Sequence, residues 1–132
     1  MNIRIPALVS GVPLFFSPIL AARVGLAEAI LLEQVHLSLQ EVKALESSRP
    51  AKLHRHFVDG RWWLQASYAE MQLTLPFWSV ATIARTVRSA EMQSLLVSRH
   101  FGKSRGDRRK WYSVEYEVIE SIAQERSASS SS

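Results

Sequence analysis

Residues 79–116 constrain the fold more than any other stretch. They read without a break as a capped amphipathic helix followed by two strands joined through a basic turn. Ser79 can cap a helix running to about Ser94, because a serine side chain accepts from the free N–H groups of a first turn. Val80, Ile83, Ala84, Val87 and Ala90 recur at the i, i+3, i+4, i+7 spacing of a buried face. The opposite face offers Ala81, Thr82, Arg85, Arg88 and Ser89, with no acid before Glu91. Strands are predicted at about 95–101 and 109–116. In the second, Tyr112, Val114 and Tyr116 point one way while Ser113 and Glu115 point the other. Gly102 and Gly106 permit a turn between them, with Lys103, Arg105, Arg108, Arg109 and Lys110 at its tip and shoulders.

The upstream punctuation is equally readable. Ser17-Pro18 is an N-cap with proline at the first helical position, and Gly25 is a terminator, which predicts a short helix over 18–24. A longer helix follows over 26–45. Its apolar stripe is wide enough for a central helix, or for one that also meets a partner subunit. Residues 46–53 form a polar loop broken by Pro50. Asp59-Gly60, between Phe57-Val58 and Trp62-Trp63, predicts a tight hairpin, since both residues tolerate positive φ. Ser67 and Glu70 form a capping box that opens a helix over 67–74, ended before Pro76. A last helix is expected over 116–126.

At 132 residues the chain is one domain by length, assigned to 1–126, with the low-complexity serine tail 127–132 expected to be disordered. The net charge of +4 is unevenly distributed. Residues 79–112 carry eight Lys/Arg against two Asp/Glu, a balance of +6, whereas 1–78 carry seven against six and 113–132 one against four. A basic block between a neutral body and an acidic end is the footprint of a polyanion partner. The chain has no cysteine, which excludes disulfides and thiol chemistry and fits a cytoplasmic location. Residues 5–22 are strongly apolar, but Pro6, Pro13 and Pro18 interrupt them, so neither a signal peptide nor a membrane span is expected. Together with helix 26–45 they offer more apolar surface than one small domain hides, which implies a homodimer through the N-terminal region.

The element order predicts an α+β, mostly helical fold: a winged helix-turn-helix with extra N-terminal helices and a short hairpin. In such a fold the second helix of the pair enters the major groove of double-stranded DNA. That helix is 79–94, and the basic turn becomes a wing whose cations reach backbone phosphates. The expected DNA contacts are Ser79, Ala81, Thr82, Arg85, Arg88 and Ser89, with Lys103, Arg105, Arg108, Arg109 and Lys110 on the wing.

The stretch "FWSVATIARTVRSAEMQSLLVSRHFGKSRGDRRKWYSVEY" resembles the winged-helix segment of phage and plasmid replication-initiation proteins, including DnaD-like replisome organisers. In these a Phe-Trp-Ser opens the recognition helix and a basic hairpin ends in Asp-Arg-x-Lys-Trp-Tyr. "GLAEAILLEQVHLSL" and "DGRWWLQASYAEMQLTLPFWS" are similar to their preceding helix and hairpin, so the resemblance spans roughly residues 12–116. Ser94 stands where many of these proteins have glycine, and Arg109 where threonine is common. The resemblance implies DNA binding in replication initiation or transcription control, with other replication proteins as further partners. A different reading of the same elements is a winged-helix protein-interaction module, such as a small phage-encoded inhibitor of a host complex.

Other chemistries find little support. Gly102-Lys103-Ser104 lacks the glycine five residues earlier and the following helix that a P-loop requires, so no nucleotide cofactor is expected. His54 and His56 could share a strand face, but neither cysteine nor a carboxylate cluster accompanies them in sequence, and no metal is expected. No Gly-x-Ser-x-Gly elbow or carboxylate pair suited to acid–base work appears, so the chain does not read as an enzyme. Trp62, Trp63, Trp78 and Trp111 are best explained as core residues of a small domain.

Overall fold

Gly25 joins the first two helices in the computed structural model, which describes residues 14–100 and 109–130, with side chains through Gln124. Helix α1 (Pro18–Val24) starts as predicted, with the Ser17 hydroxyl accepting from Leu20 N–H at 3.2 Å. Gly25, at φ +109°, ends α1 and begins α2 (Leu26–Ser47). The positive backbone angle is what demands glycine here, since a Cβ would meet only the movable end of the Glu28 side chain.

Helix α2 is central. Its Ala29, Leu31, Leu32, Val35 and Leu39 are buried, and it packs against α1 and the elements described below. It extends past its expected end at 45. Leu26 and Leu45 on the same helix stay exposed, as do Phe15 and Ile19 around α1. The remainder of the apolar N-terminal region, residues 5–13, lies outside the described residues.

The loop after α2 contains a 3₁₀ turn at Ala51–Leu53. Strands β1 (Phe57–Val58) and β2 (Arg61–Trp62) then pair through Asp59 at φ +53° and Gly60 at φ +77°. Two positive angles in a two-residue loop are what an Asp-Gly hairpin supplies. A third strand, β3 (Leu64–Ala66), has no counterpart among the sequence-based expectations, because three residues are too few to show an alternation. It pairs antiparallel with β5 (Lys110–Val114), which also pairs with β4 (Leu96–Arg99), giving the sheet order β3-β5-β4.

Between β3 and β4 lie α3 (Tyr68–Thr74) and α4 (Val80–Met92). The predicted capping box is formed: Ser67 Oγ accepts from Glu70 N–H at 3.1 Å, and Glu70 Oε1 accepts from Ser67 N–H at 3.0 Å. Helix α4 packs on both α2 and α3. The fold is therefore α+β and mostly helical, with one buried apolar cluster running from Val24 to Val114.

Two details of β5 differ from the alternation read in the sequence. Ser113 is as buried as Tyr112 and Val114, because the β1–β2 hairpin lies against it and its hydroxyl donates to the Trp62 carbonyl at 2.9 Å. Tyr116 is not in the strand; it opens α5 (Tyr116–Ser130), where its hydroxyl meets His36 Nδ1 at 2.8 Å. Helix α5 also runs into the serine-rich segment expected to be disordered, since serine costs a continuing helix only a few tenths of a kcal/mol, roughly, per residue.

Of the tryptophans, Trp63 is buried and donates from Nε1 to the Val58 carbonyl at 2.9 Å, while Trp62 and Trp78 pack against the core edge. Burial raises the Tyr112 phenol above its ordinary range, and the neighbouring Tyr68 adds to the shift. Among the described residues no helix is long and apolar enough to cross a membrane.

Candidate nucleic-acid interface

Ser79 fixes the start of α4. Its hydroxyl accepts from Thr82 N–H at 3.1 Å and donates to Thr82 Oγ1 at 3.0 Å. Arg85 Nη2 in turn donates to Thr82 Oγ1 at 3.3 Å, so the guanidinium leans toward the N-terminal end of the helix. One turn on, Arg88 is exposed and makes no hydrogen bond or ion pair with any described residue. Ala81, Arg85, Arg88 and Met92 form one continuous exposed stripe, at the i, i+4, i+7, i+11 spacing of a single helix face.

The inner face is rotated slightly from its sequence-based placement. Ile83, Thr86, Val87 and Ala90 are the buried residues, whereas Val80 is 40% exposed. Thr86 can occupy the core because its hydroxyl donates to the Thr82 carbonyl at 2.7 Å. Ser89 points away from the exposed stripe: its hydroxyl donates to Glu28 Oε1 of α2 at 3.1 Å. The structure thus groups Ser79, Ala81, Thr82, Arg85 and Arg88, and turns Ser89 toward α2.

The C-terminal end of α4 leads straight into the sheet. Leu95 N–H donates to the Ala90 carbonyl at 2.9 Å and Ser94 N–H to Glu91 at 3.0 Å, the double bond of a Schellman motif. Ser94 occupies its left-handed position at φ +61°. Buried Leu95 and Ala90 supply the accompanying apolar contact, which fixes the angle between α4 and β4. Arg99 at the end of β4, and Arg109 and Lys110 at the start of β5, are exposed. Lys103, Arg105 and Arg108 lie outside the described residues.

His54 and His56 sit elsewhere. His54 Nε2 is 2.9 Å from the Arg49 carbonyl, and His56 Nδ1 is 2.7 Å from Glu46 Oε1. Glu46 also accepts from Arg55 N–H and His56 N–H, each at 3.0 Å, although it is only 6% exposed. Burial pushes the Glu46 carboxyl up, but the bonds from His56 and Arg55 outweigh it and hold the group below its ordinary value. Sequence reasoning missed this clasp because ten residues separate acid and imidazole. Among the described residues no group of three His, Cys, Asp or Glu side chains is placed to hold a metal ion.

Sequence reasoning also missed several exposed apolar side chains. Phe77 is 56% exposed beside Trp78, and Leu73 and Met92 are each 81% exposed. Comparison with protein-family models, curated proteins and solved structures found no match to this chain.

Proposed function

We propose that the chain is a winged helix-turn-helix protein that binds double-stranded DNA, with α4 as the recognition helix and the β4–β5 hairpin as the wing. Support for the fold comes from the order α2, β3, α3, α4, β4, β5 and from the antiparallel sheet β3-β5-β4. The observation that carries the function is the exposed stripe of α4. Arg85 and Arg88 stand on it among small residues, and a fixed turn connects it to a hairpin whose roots are basic. A helix of this kind fits a major groove, and cations beside it neutralise the flanking phosphates. The process is replication initiation or transcription control of a phage, plasmid or bacterial genome, in the cytoplasm, as the sequence resemblance implies.

Salt titration tests this. If three phosphates are neutralised, the slope of log affinity against log salt is about −2.7. Replacing Arg105, Arg108 and Arg109 together with alanine weakens binding to every duplex sequence and flattens the slope. An unchanged slope removes the hairpin from the interface. A second reading, a protein-interaction module, draws on the exposed apolar side chains of Leu73, Phe77 and Met92. It is favoured if duplex binding shows no salt dependence.

A further inference from the structure

We infer that residues 49–56, which connect α2 to β1, form a second nucleic-acid contact, taking backbone phosphates of the duplex that flanks the α4–hairpin site. The inference rests on the DNA-binding reading above. The segment contains Arg49, Lys52 and Arg55, all exposed, and no acid occurs from Ser47 to Val58. On the α2 side of the segment, Glu46 turns inward and accepts from the backbone N–H groups of Arg55 and His56 and from the His56 ring. It therefore pairs with none of the three cations, and no other described residue does so.

The segment is also held in shape. Leu53 N–H donates to the Pro50 carbonyl at 2.8 Å and His54 N–H to Ala51 at 3.1 Å, while the His54 ring meets the Arg49 carbonyl. A loop already ordered loses little backbone freedom when it meets a ligand, so its charges contribute more of their attraction to binding. Its position points to the same duplex. The His56 ring lies 5.3 Å from that of Trp111, the residue after Lys110, and Trp111 faces Arg99 across the sheet. His56, next to Arg55, thus adjoins the root of the hairpin, where Arg99, Arg109 and Lys110 are exposed. Arg49, Lys52 and Arg55, exposed cations with no carboxylate partner among the described residues, are suited to neutralising backbone phosphates.

The test compares two duplexes, of about 15 and about 30 base pairs, the shorter holding little more than one groove-bound module. The wild-type chain should show a steeper salt slope on the longer one. In the Arg49→Ala/Lys52→Ala/Arg55→Ala variant that extra slope should vanish, with a loss of about 30-fold in affinity at 0.15 M salt if two phosphates are released. Binding to the shorter duplex should stay unchanged. The substitutions leave the Arg55 N–H and the Arg49 carbonyl in place, and glutamine replacements, which keep longer side chains, should give the same result. Equal losses on both duplexes would show a diffuse field and overturn the contact, as would no loss on either. If the wild-type chain fails to bind duplex of any length, the DNA reading itself falls, a result distinct from loss of the flanking contact alone.

Discussion

The C-terminal end of α2 and the outward face of α4 are both rich in polar side chains, yet they use them in opposite ways. At α2, Glu46 accepts three hydrogen bonds from one loop, Arg61 pairs with Glu115, and Ser113 holds the Trp62 carbonyl. These groups tie the β1–β2 hairpin to the helix and the sheet. At α4, Ser79 and Thr82 organise the first turn, but Arg85 and Arg88 extend from it with no carboxylate partner among the described residues. One region converts polarity into structure, while the other leaves it facing solvent. Substitutions should therefore separate the two, affecting stability in the first and binding in the second.

The largest stability effect is expected at Glu46. Glu46→Ala leaves two partly buried backbone N–H groups and an imidazole without their acceptor, at a cost of about 3 kcal/mol. Denaturant unfolding measures it, and a loss under about 1 kcal/mol would mean that water replaces the carboxylate. The same contact makes stability pH-dependent. The folded carboxyl sits below its ordinary value, so the unfolded chain takes up the proton first as pH falls. The contribution is complete above the unfolded pKa of about 4.3 and is lost as pH drops through the lower folded value. The Glu46→Ala variant should lack this acid-side decline. Its folded fraction should bind a short duplex as the wild type does.

At α4 the expected effect is on binding, not folding. In the proposed DNA complex Arg85 would stand near the end of the helix that enters the groove, where a guanidinium can pair with the O6 and N7 of a guanine. Such a contact discriminates by roughly 1–3 kcal/mol. Arg85→Ala should therefore lower the preference for a selected site over random duplex. Arg88→Ala, a turn further on and suited to a phosphate, should lower both affinities together. Competition binding decides between them, and an intact ratio in Arg85→Ala would rule out base reading. Neither change should move the unfolding midpoint noticeably.

The two regions also differ in how legible they were. Short-range signals worked wherever the cause is local: Ser17-Pro18, Asp59-Gly60, the Ser67/Glu70 box and the Ser79 cap all appear in the structure as read. The exposed positions of Ala81, Arg85 and Arg88 followed from helical periodicity alone. What could not be read depends on tertiary partners. Strand β3 exists because β5 offers it a ladder, and Ser113 is buried because a hairpin covers it. Ser89 leaves the outward face because Glu28 of another helix accepts its hydrogen bond. The Glu46 clasp joins residues that no spacing rule connects.

Ser94 offers the finest test, because it lies at the joint between α4 and β4. The structure has two non-glycine residues at positive φ, Asp59 and Ser94, among those described. Asp59 sits in a tight turn whose left-handed angles aspartate tolerates well. Ser94 occupies the left-handed position of a Schellman motif, where a Cβ crowds the following carbonyl and glycine is preferred. Ser94→Gly should remove that crowding. Glycine also gives the unfolded chain more freedom, which offsets part of the gain, so the net stabilisation should be about 0.5–1 kcal/mol. If the joint serves only to connect helix and hairpin, the variant should keep the wild-type DNA affinity and salt slope. A gain in stability with weaker binding would instead mean that serine sets the angle at which α4 and the hairpin meet the duplex together. A loss of stability would mean that the Ser94 side chain contributes more to the folded state than its backbone strain costs.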